Sequence, residues 1–129
     1  MRRVTCYVAG PYSAPQIITS LDHMRVGMQV CYDLLKKGFS PFCPWHDFLF
    51  SFMGPVTIQE YYEYSISQLR RQESMLVLPN WETSKGTNAE IQEAERLGIP
   101  IFFTVKDLVE WRDREVAIES GLLTAAGED

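Results

Sequence analysis

The sequence predicts an α/β fold, a three-layer sandwich around a parallel sheet of four to five strands. Two observations carry that expectation. Short apolar runs rich in β-branched and aromatic residues alternate along the chain with longer segments of near-helical period. Three of the runs stop at Gly or Pro, as strands entering loops do. Alternation of this kind calls for a parallel sheet covered on both faces.

In order, Val4–Ala9 reads as a buried strand halted by Gly10 and Pro11. Leu21, Met24, Met28, Cys31, Leu34 and Leu35 then form a near-helical stripe, which stops at Lys36, Lys37 and Gly38. Phe39–Cys43 is a second strand, ended by Pro44. The aromatic stretch 44–56 has no clean period and reads as a long loop, with or without a short helical turn. Thr57 and Glu60 have capping-box spacing, so a helix should run from there to about Arg71. Met75–Leu78 is a third strand, followed by a loop over 80–86 and a helix from about Asn88 to Leu97. Pro100–Thr104 is the fourth strand. Asp107 to roughly Ile118 is helical, and the tail Gly121–Asp129 is expected to fray. The chain is thus one domain over 1–129, with its core at about 3–118. Right-handed crossovers place the loops 10–15, 44–56 and 79–86, and the turn near Lys106, at one sheet edge. Ligands of open α/β sheets bind at that edge.

Composition narrows the function. The chain has 129 residues, 46% of them hydrophobic and 22% charged, which is ordinary globular usage. A chain of this size buries about two-thirds of its unfolded surface, so it needs no disulfide or metal to fold. Its net charge of −5 argues against a nucleic-acid surface, though not against a mononucleotide, whose phosphate a few local donors can hold. Cys6, Cys31 and Cys43 are an odd set without a CxxC pair, which suits buried free thiols in a reducing compartment. His23 and His46 have no metal-ligand spacing, so no metal is expected. No signal or membrane-spanning stretch is evident, and a cytoplasmic protein is expected.

Two loops hold most of the candidate chemistry. Gly10, Pro11, Tyr12 and Ser13 follow the first strand, but neither GxGxxG nor GK[ST] is present. That loop is either a plain tight turn or a place of close backbone approach. The second is Trp81-Glu82-Thr83-Ser84-Lys85-Gly86-Thr87-Asn88-Ala89-Glu90, which sets hydroxyls, a glycine and a carboxylate at a helix start. Its free amides suit an anion. Thr87 and Glu90 also match the spacing of a capping box.

The segments Tyr7–Tyr12, Gly38–Pro41 and Leu78–Glu90, together with Ala94 and Gly98–Pro100, resemble the nucleoside 2-deoxyribosyltransferase superfamily. More narrowly, they resemble its small bacterial and phage branch with the LPxWxxSxGxxxE pattern, over roughly residues 4–104. This resemblance implies a flavodoxin- or Rossmann-like fold and cleavage of an N-glycosidic bond. It makes Glu90 the nucleophile on the anomeric carbon, and Tyr7 the residue that orients it. A glutamate suits an oxocarbenium-like transition state and a covalent glycosyl intermediate. In relatives that hydrolyse 2′-deoxynucleoside 5′-monophosphates, a serine matching Ser84 holds the phosphate, and Ser13 and backbone amides would assist. The substrate-binding set then comprises Gly10, Pro11, Tyr12, Ser13, His46, Asp47, Trp81, Ser84, Gly86 and Asn88. Trp81 is expected to pack the loop over the site.

One position departs from the pattern. The family's proton-transferring aspartate falls on Ser65, which cannot serve as a carboxylic acid. Glu63 or Asp47 could substitute, whereas Glu73 belongs to the opposite sheet edge. Trp45, His46, Asp47 and Phe48 suit either a base pocket or a hydrophobic lid or subunit contact, and Tyr61, Tyr62 and Tyr64 could line the pocket. The expectation is therefore a nucleotide N-glycosidase using water and no cofactor. Alternatives are a deoxyribosyltransferase, a nucleotide-binding module without turnover, and a structural subunit. A homodimer or larger homo-oligomer is expected from the family and from the aromatic stretch 45–64.

Overall fold

The computed structural model describes residues 2–123. Strands β1 (Thr5–Ala9), β2 (Ser40–Phe42), β3 (Met75–Val77) and β4 (Ile101–Phe102) form one sheet in the order β2-β1-β3-β4. Every pairing is parallel: Tyr7 stands beside both Phe42 and Met75, and Leu76 beside Phe102. Helices α1 (Ile17–Lys36), α2 (Ile58–Leu69), α3 (Lys85–Leu97) and α4 (Val105–Glu119) follow the strands in turn. The fold is the flavodoxin/Rossmann-like three-layer sandwich, with four strands among the described residues. The order in which strands are added reverses between β1 and β3, so the switch point lies at their C-terminal ends.

Strand alternation divides the core in two. Val4, Cys6 and Val8, with Leu76 and Leu78, pack with Cys31 and Leu34 of α1 and Leu108 of α4. Tyr7 and Ala9, with Met75 and Val77, face Leu69 of α2 and Ala94 of α3. All three cysteines are buried and unpaired. No described helix is long and apolar enough to cross a membrane.

The helix ends explain most boundaries. Thr57 and Glu60 form the expected capping box, with Thr57 Oγ1 accepting from the Glu60 amide and Glu60 Oε1 from the Thr57 amide. Gly38 and Gly98, at φ +94° and +73°, stop α1 and α3 in a left-handed conformation that a Cβ would disfavour. Arg2 and Thr5 bond Glu73 at the N-terminal edge of the sheet, the side opposite the switch point.

Four local expectations need correction. The stretch after β2 is a 3₁₀ helix, Pro44–Phe52, with Pro44 starting it. α3 begins three residues earlier than its apolar pattern indicates. Ser84 is its N-cap, accepting from the Thr87 amide, so Thr87 and Glu90 do not form a capping box. Lys106 lies inside α4, because Thr104 caps that helix through the Asp107 amide. On α1 the buried positions are Gly27, Cys31 and Leu34, while Leu21, Met28 and Leu35 are exposed. As for the tail, Gly121–Leu123 closes α4, with the Leu122 amide bonded to the Ala117 carbonyl at 2.8 Å. The rest of the segment expected to fray, 124–129, lies outside the described residues.

Candidate active site

A cavity of about 680 Å3 opens at the switch point, within the ~300–1,000 Å3 range usual for small-molecule sites. The β1 loop supplies Gly10–Ser13, the 3₁₀ helix supplies Asp47, and α2 supplies Ser65. The loop after β3 and the start of α3 supply Ser84, Gly86 and Glu90. Besides Ser65, eight of the residues expected to act in catalysis or binding therefore line this one cavity.

Glu90 forms a half-buried floor to this cavity. The Tyr7 hydroxyl, fully buried behind it, donates to Glu90 Oε2. Ser65 also lines this cavity, and its side chain acts on the Tyr7 phenol against the rise that burial causes. Phe42 stacks on the Tyr7 ring at 5.4 Å and holds it in place. Burial pushes the Glu90 carboxyl up to about 7. The Tyr7 bond opposes that rise, and the nearby Asp47 charge adds to it. The Tyr7 phenol is itself driven well above its usual range by burial, so it stays protonated and donating.

Asp47 is buried at the cavity wall and accepts from the Tyr12 hydroxyl through Oδ1 at 2.9 Å. Burial raises its carboxyl above the ordinary aspartate value, and the Tyr12 bond holds it partly down. Its neighbour Trp45 is almost fully buried and donates from Nε1 to the Pro11 carbonyl at 3.1 Å. The β1 loop and the 3₁₀ helix are thus tied to each other twice.

The α3 start is organised by its cap. Ser84 Oγ accepts from the Thr87 amide and lies 2.9 Å from Thr87 Oγ1, while the Asn88 amide reaches the Ser84 carbonyl. The Lys85 and Gly86 amides are thereby left as the helix's outermost donors. No protein atom lies within 4 Å of where a Gly86 Cβ would be, so packing does not require glycine there. Glycine within a helix costs about 1 kcal/mol, and Gly86 stands on the cavity lining. Gly10 differs, since a Cβ there would meet Leu78 at 3.0 Å. Its close approach is to Leu78, at the exit of β3.

Three candidates stand off the wall. His46 is exposed, Trp81 packs into the second core and against Phe103 at 5.6 Å, and Asn88 faces the loop. Asn88 Nδ2 donates to the carbonyls of Trp81, Glu82 and Ser84 at 3.2, 3.1 and 2.8 Å. It holds the loop that presents Ser84. Asn88→Ala should cost about 1–2 kcal/mol, because those carbonyls lose their shared donor. Faster amide exchange across 81–86 should accompany a lowered urea midpoint; unchanged exchange there would refute the role.

Some wall residues carried no sequence signal. His23 reaches the cavity from α1 with Nδ1 donating to the Tyr12 carbonyl at 3.0 Å. Asn80 lines it with a left-handed backbone, φ +67°. Lys85 was legible in principle, as a cation beside the helix start. Glu63 bonds Gln59 on an exposed face of α2 and is away from the wall. Among the described residues, no group of three His, Cys, Asp or Glu side chains is placed to hold a metal ion.

A family profile described as a domain of unknown function (DUF4406) matches residues 50–103. That is less than half of the chain, and it includes Ser65, Ser84 and Glu90 but not Tyr7 or Asp47. No curated protein matches the chain.

Proposed function

We propose that the protein is an N-glycosidase acting on a nucleoside 5′-monophosphate, with Glu90 as the nucleophile and water as the acceptor. The observation that carries this assignment is the Tyr7 hydroxyl bonded to a half-buried Glu90 at the floor of a nucleotide-sized cavity. A carboxylate oriented by a donor that cannot ionise, and held near neutrality by burial, suits attack on an anomeric carbon. One Glu90 oxygen is engaged by Tyr7, which leaves Oε1 for the sugar.

Substrate orientation follows from the two ends of the site. The phosphate belongs at the start of α3, where Ser84, the Lys85 and Gly86 amides and the Lys85 cation supply donors, with Ser13 across the cavity. That choice agrees with the similarity of Leu78–Glu90 to the monophosphate-cleaving relatives within the nucleoside 2-deoxyribosyltransferase superfamily. The base then extends toward Tyr12, Phe48, Tyr61 and Tyr62, whose rings also line the cavity. Leu49, Phe52, Met53 and Ile58 are exposed on the adjoining segments and support self-association through that surface.

A second reading is a nucleotide-binding module without turnover. It is favoured by Ser65, which lines the cavity but carries no acidic proton. Both readings are separated by measuring free base after incubating wild type with nucleosides and 5′-monophosphates, alone and with a second free base. Release from monophosphates by wild type is expected. A new nucleotide formed only when a second base is present would indicate transfer. Nucleotide binding with no base released would leave the binding module.

A further inference from the structure

The wall of the cavity presents two carboxylates among the described residues, Asp47 and Glu90, on different elements. Cleaving an N-glycosidic bond through a carboxylate nucleophile needs a second group, because a departing base anion is a poor leaving group unless protonated. We infer that Asp47 is that group: it protonates the departing base and then activates the water that frees the sugar from Glu90. This assignment rests on the glycosidase reading above.

Several observations support Asp47 specifically. Its side chain is buried, yet it borders the cavity. Among the described residues its hydrogen-bond donor is the Tyr12 hydroxyl on Oδ1, which leaves Oδ2 for a substrate or water. Among the described residues no salt bridge to it is found, so an ion pair does not explain why this carboxylate is buried. It lines the same cavity as Glu90, and its charge raises the Glu90 carboxyl, so ionisation of one of the two disfavours ionisation of the other. Other titratable groups on the wall fit the role less well. His23 commits Nδ1 to the Tyr12 carbonyl, and Lys85 stands at the α3 start beside the phosphate donors. Tyr61 is bonded to Ser51.

The steps balance. As a Glu90 oxygen bonds C1′, the C1′–N bond breaks, its electron pair goes to the base, and the Asp47 proton is transferred to the base. Water then attacks C1′ and gives its proton to Asp47, while the C1′–O bond breaks and Glu90 returns as a carboxylate. One nucleotide and one water yield one sugar phosphate and one base, and Asp47 ends as it began, protonated.

The test compares Asp47→Asn with wild type on two substrates. One is the nucleotide whose base wild type releases best. The other is an analogue whose base leaves without a proton or nearly so, an N7-methylated purine or a 5-fluorinated pyrimidine. The expected result, read as base released in the first turnover, is a loss of about 10²–10⁴-fold on the ordinary nucleotide and a much smaller loss on the analogue. Sodium azide should speed turnover of the analogue by the variant and give a glycosyl azide. Equal losses on both substrates, or no loss on either, would overturn the role of Asp47. If wild type releases no base from either substrate, the glycosidase reading itself fails and this role with it. Should Asp47→Asn not fold, Tyr12→Phe tests the same claim, since it removes the hydroxyl that orients Asp47 and keeps the carboxyl. Its loss should again fall on the ordinary nucleotide, and an equal loss on both would overturn the assignment.

Discussion

Glu90→Gln should abolish base release and at the same time stabilise the protein above neutral pH. The first effect follows from replacing a nucleophile with an amide of the same shape that cannot form a stable glycosyl ester. A fall of about 10³-fold or more is expected. The second follows from proton linkage. The Glu90 carboxyl titrates near 7 in the folded protein against an ordinary value of 4.5. Between those two pH values the folded state retains a proton that the unfolded chain has already lost. Wild-type stability therefore falls as pH rises through that window, by at most about 3 kcal/mol, and levels off above it. Glutamine has no such term, and its Oε1 can still accept from Tyr7. The variant should melt close to wild type near pH 4.5 and up to roughly 10 °C higher at pH 8. Thermal melts at the two pH values, with the base-release assay alongside, measure both effects. A melting difference that does not change with pH would show that Glu90 is not held near neutrality. If the nucleophile must be ionised, wild-type activity on the acid side should also rise with pH up to about 7.

Gly27→Ala should destabilise the fold, against the direction that helix propensity alone predicts. Gly27 lies in mid-α1, where alanine would ordinarily gain about 1 kcal/mol in helix propensity. Here a Cβ would fall 2.4–2.5 Å from three carbons of the Trp45 indole. Backbone and ring cannot both stay, so the substitution should destabilise by about 1–3 kcal/mol. The damage should also spread to the site. Trp45 lies in the first turn of the 3₁₀ helix that carries Asp47, and its Nε1 donates to the Pro11 carbonyl. Trp45→Ala should cost more, about 3–5 kcal/mol, because it empties a large buried volume. In the double variant the alanine methyl gains the room that the indole vacates. The two losses should therefore sum to more than the double variant loses. Urea denaturation of the two single variants and the double one gives the coupling directly. A Gly27→Ala protein as stable as wild type would mean that the ring moves aside freely.

Much of the architecture is local in origin and was legible in the chain. β1 alternates between two cores because successive strand residues face opposite sides, and the run from Val4 to Ala9 is apolar on both. Thr57 and Glu60 cap α2 through contacts three residues apart, which spacing alone reveals. The placement of the site follows from connection rules that hold for any parallel sheet. The Ser84–Glu90 spacing was equally readable, although its capping residue was not. Thr87 has the composition of a cap, yet it is buried inside the first turn because Ser84 reaches its amide first.

Tertiary structure decided the matters that depend on residues far apart in the chain. Periodicity assigns Leu21 and Met28 to the buried stripe of α1, but the helix is rotated to press Gly27 against Trp45, and those apolar side chains are left in solvent. Asp47 and Glu63 are equivalent as sequence. Only the folded chain puts the first beside Tyr12, thirty-five residues away, and the second on an outer face with Gln59. His46 and Asp47 are neighbours whose side chains part because the 3₁₀ helix turns one outward and the other in. What the sequence determined by itself was the set of elements and the sheet edge where chemistry would gather, since propensity, capping and crossover handedness act over short range. Which side chains meet at that edge was left to packing, because burial and long-range hydrogen bonds exist only once the layers have closed on each other.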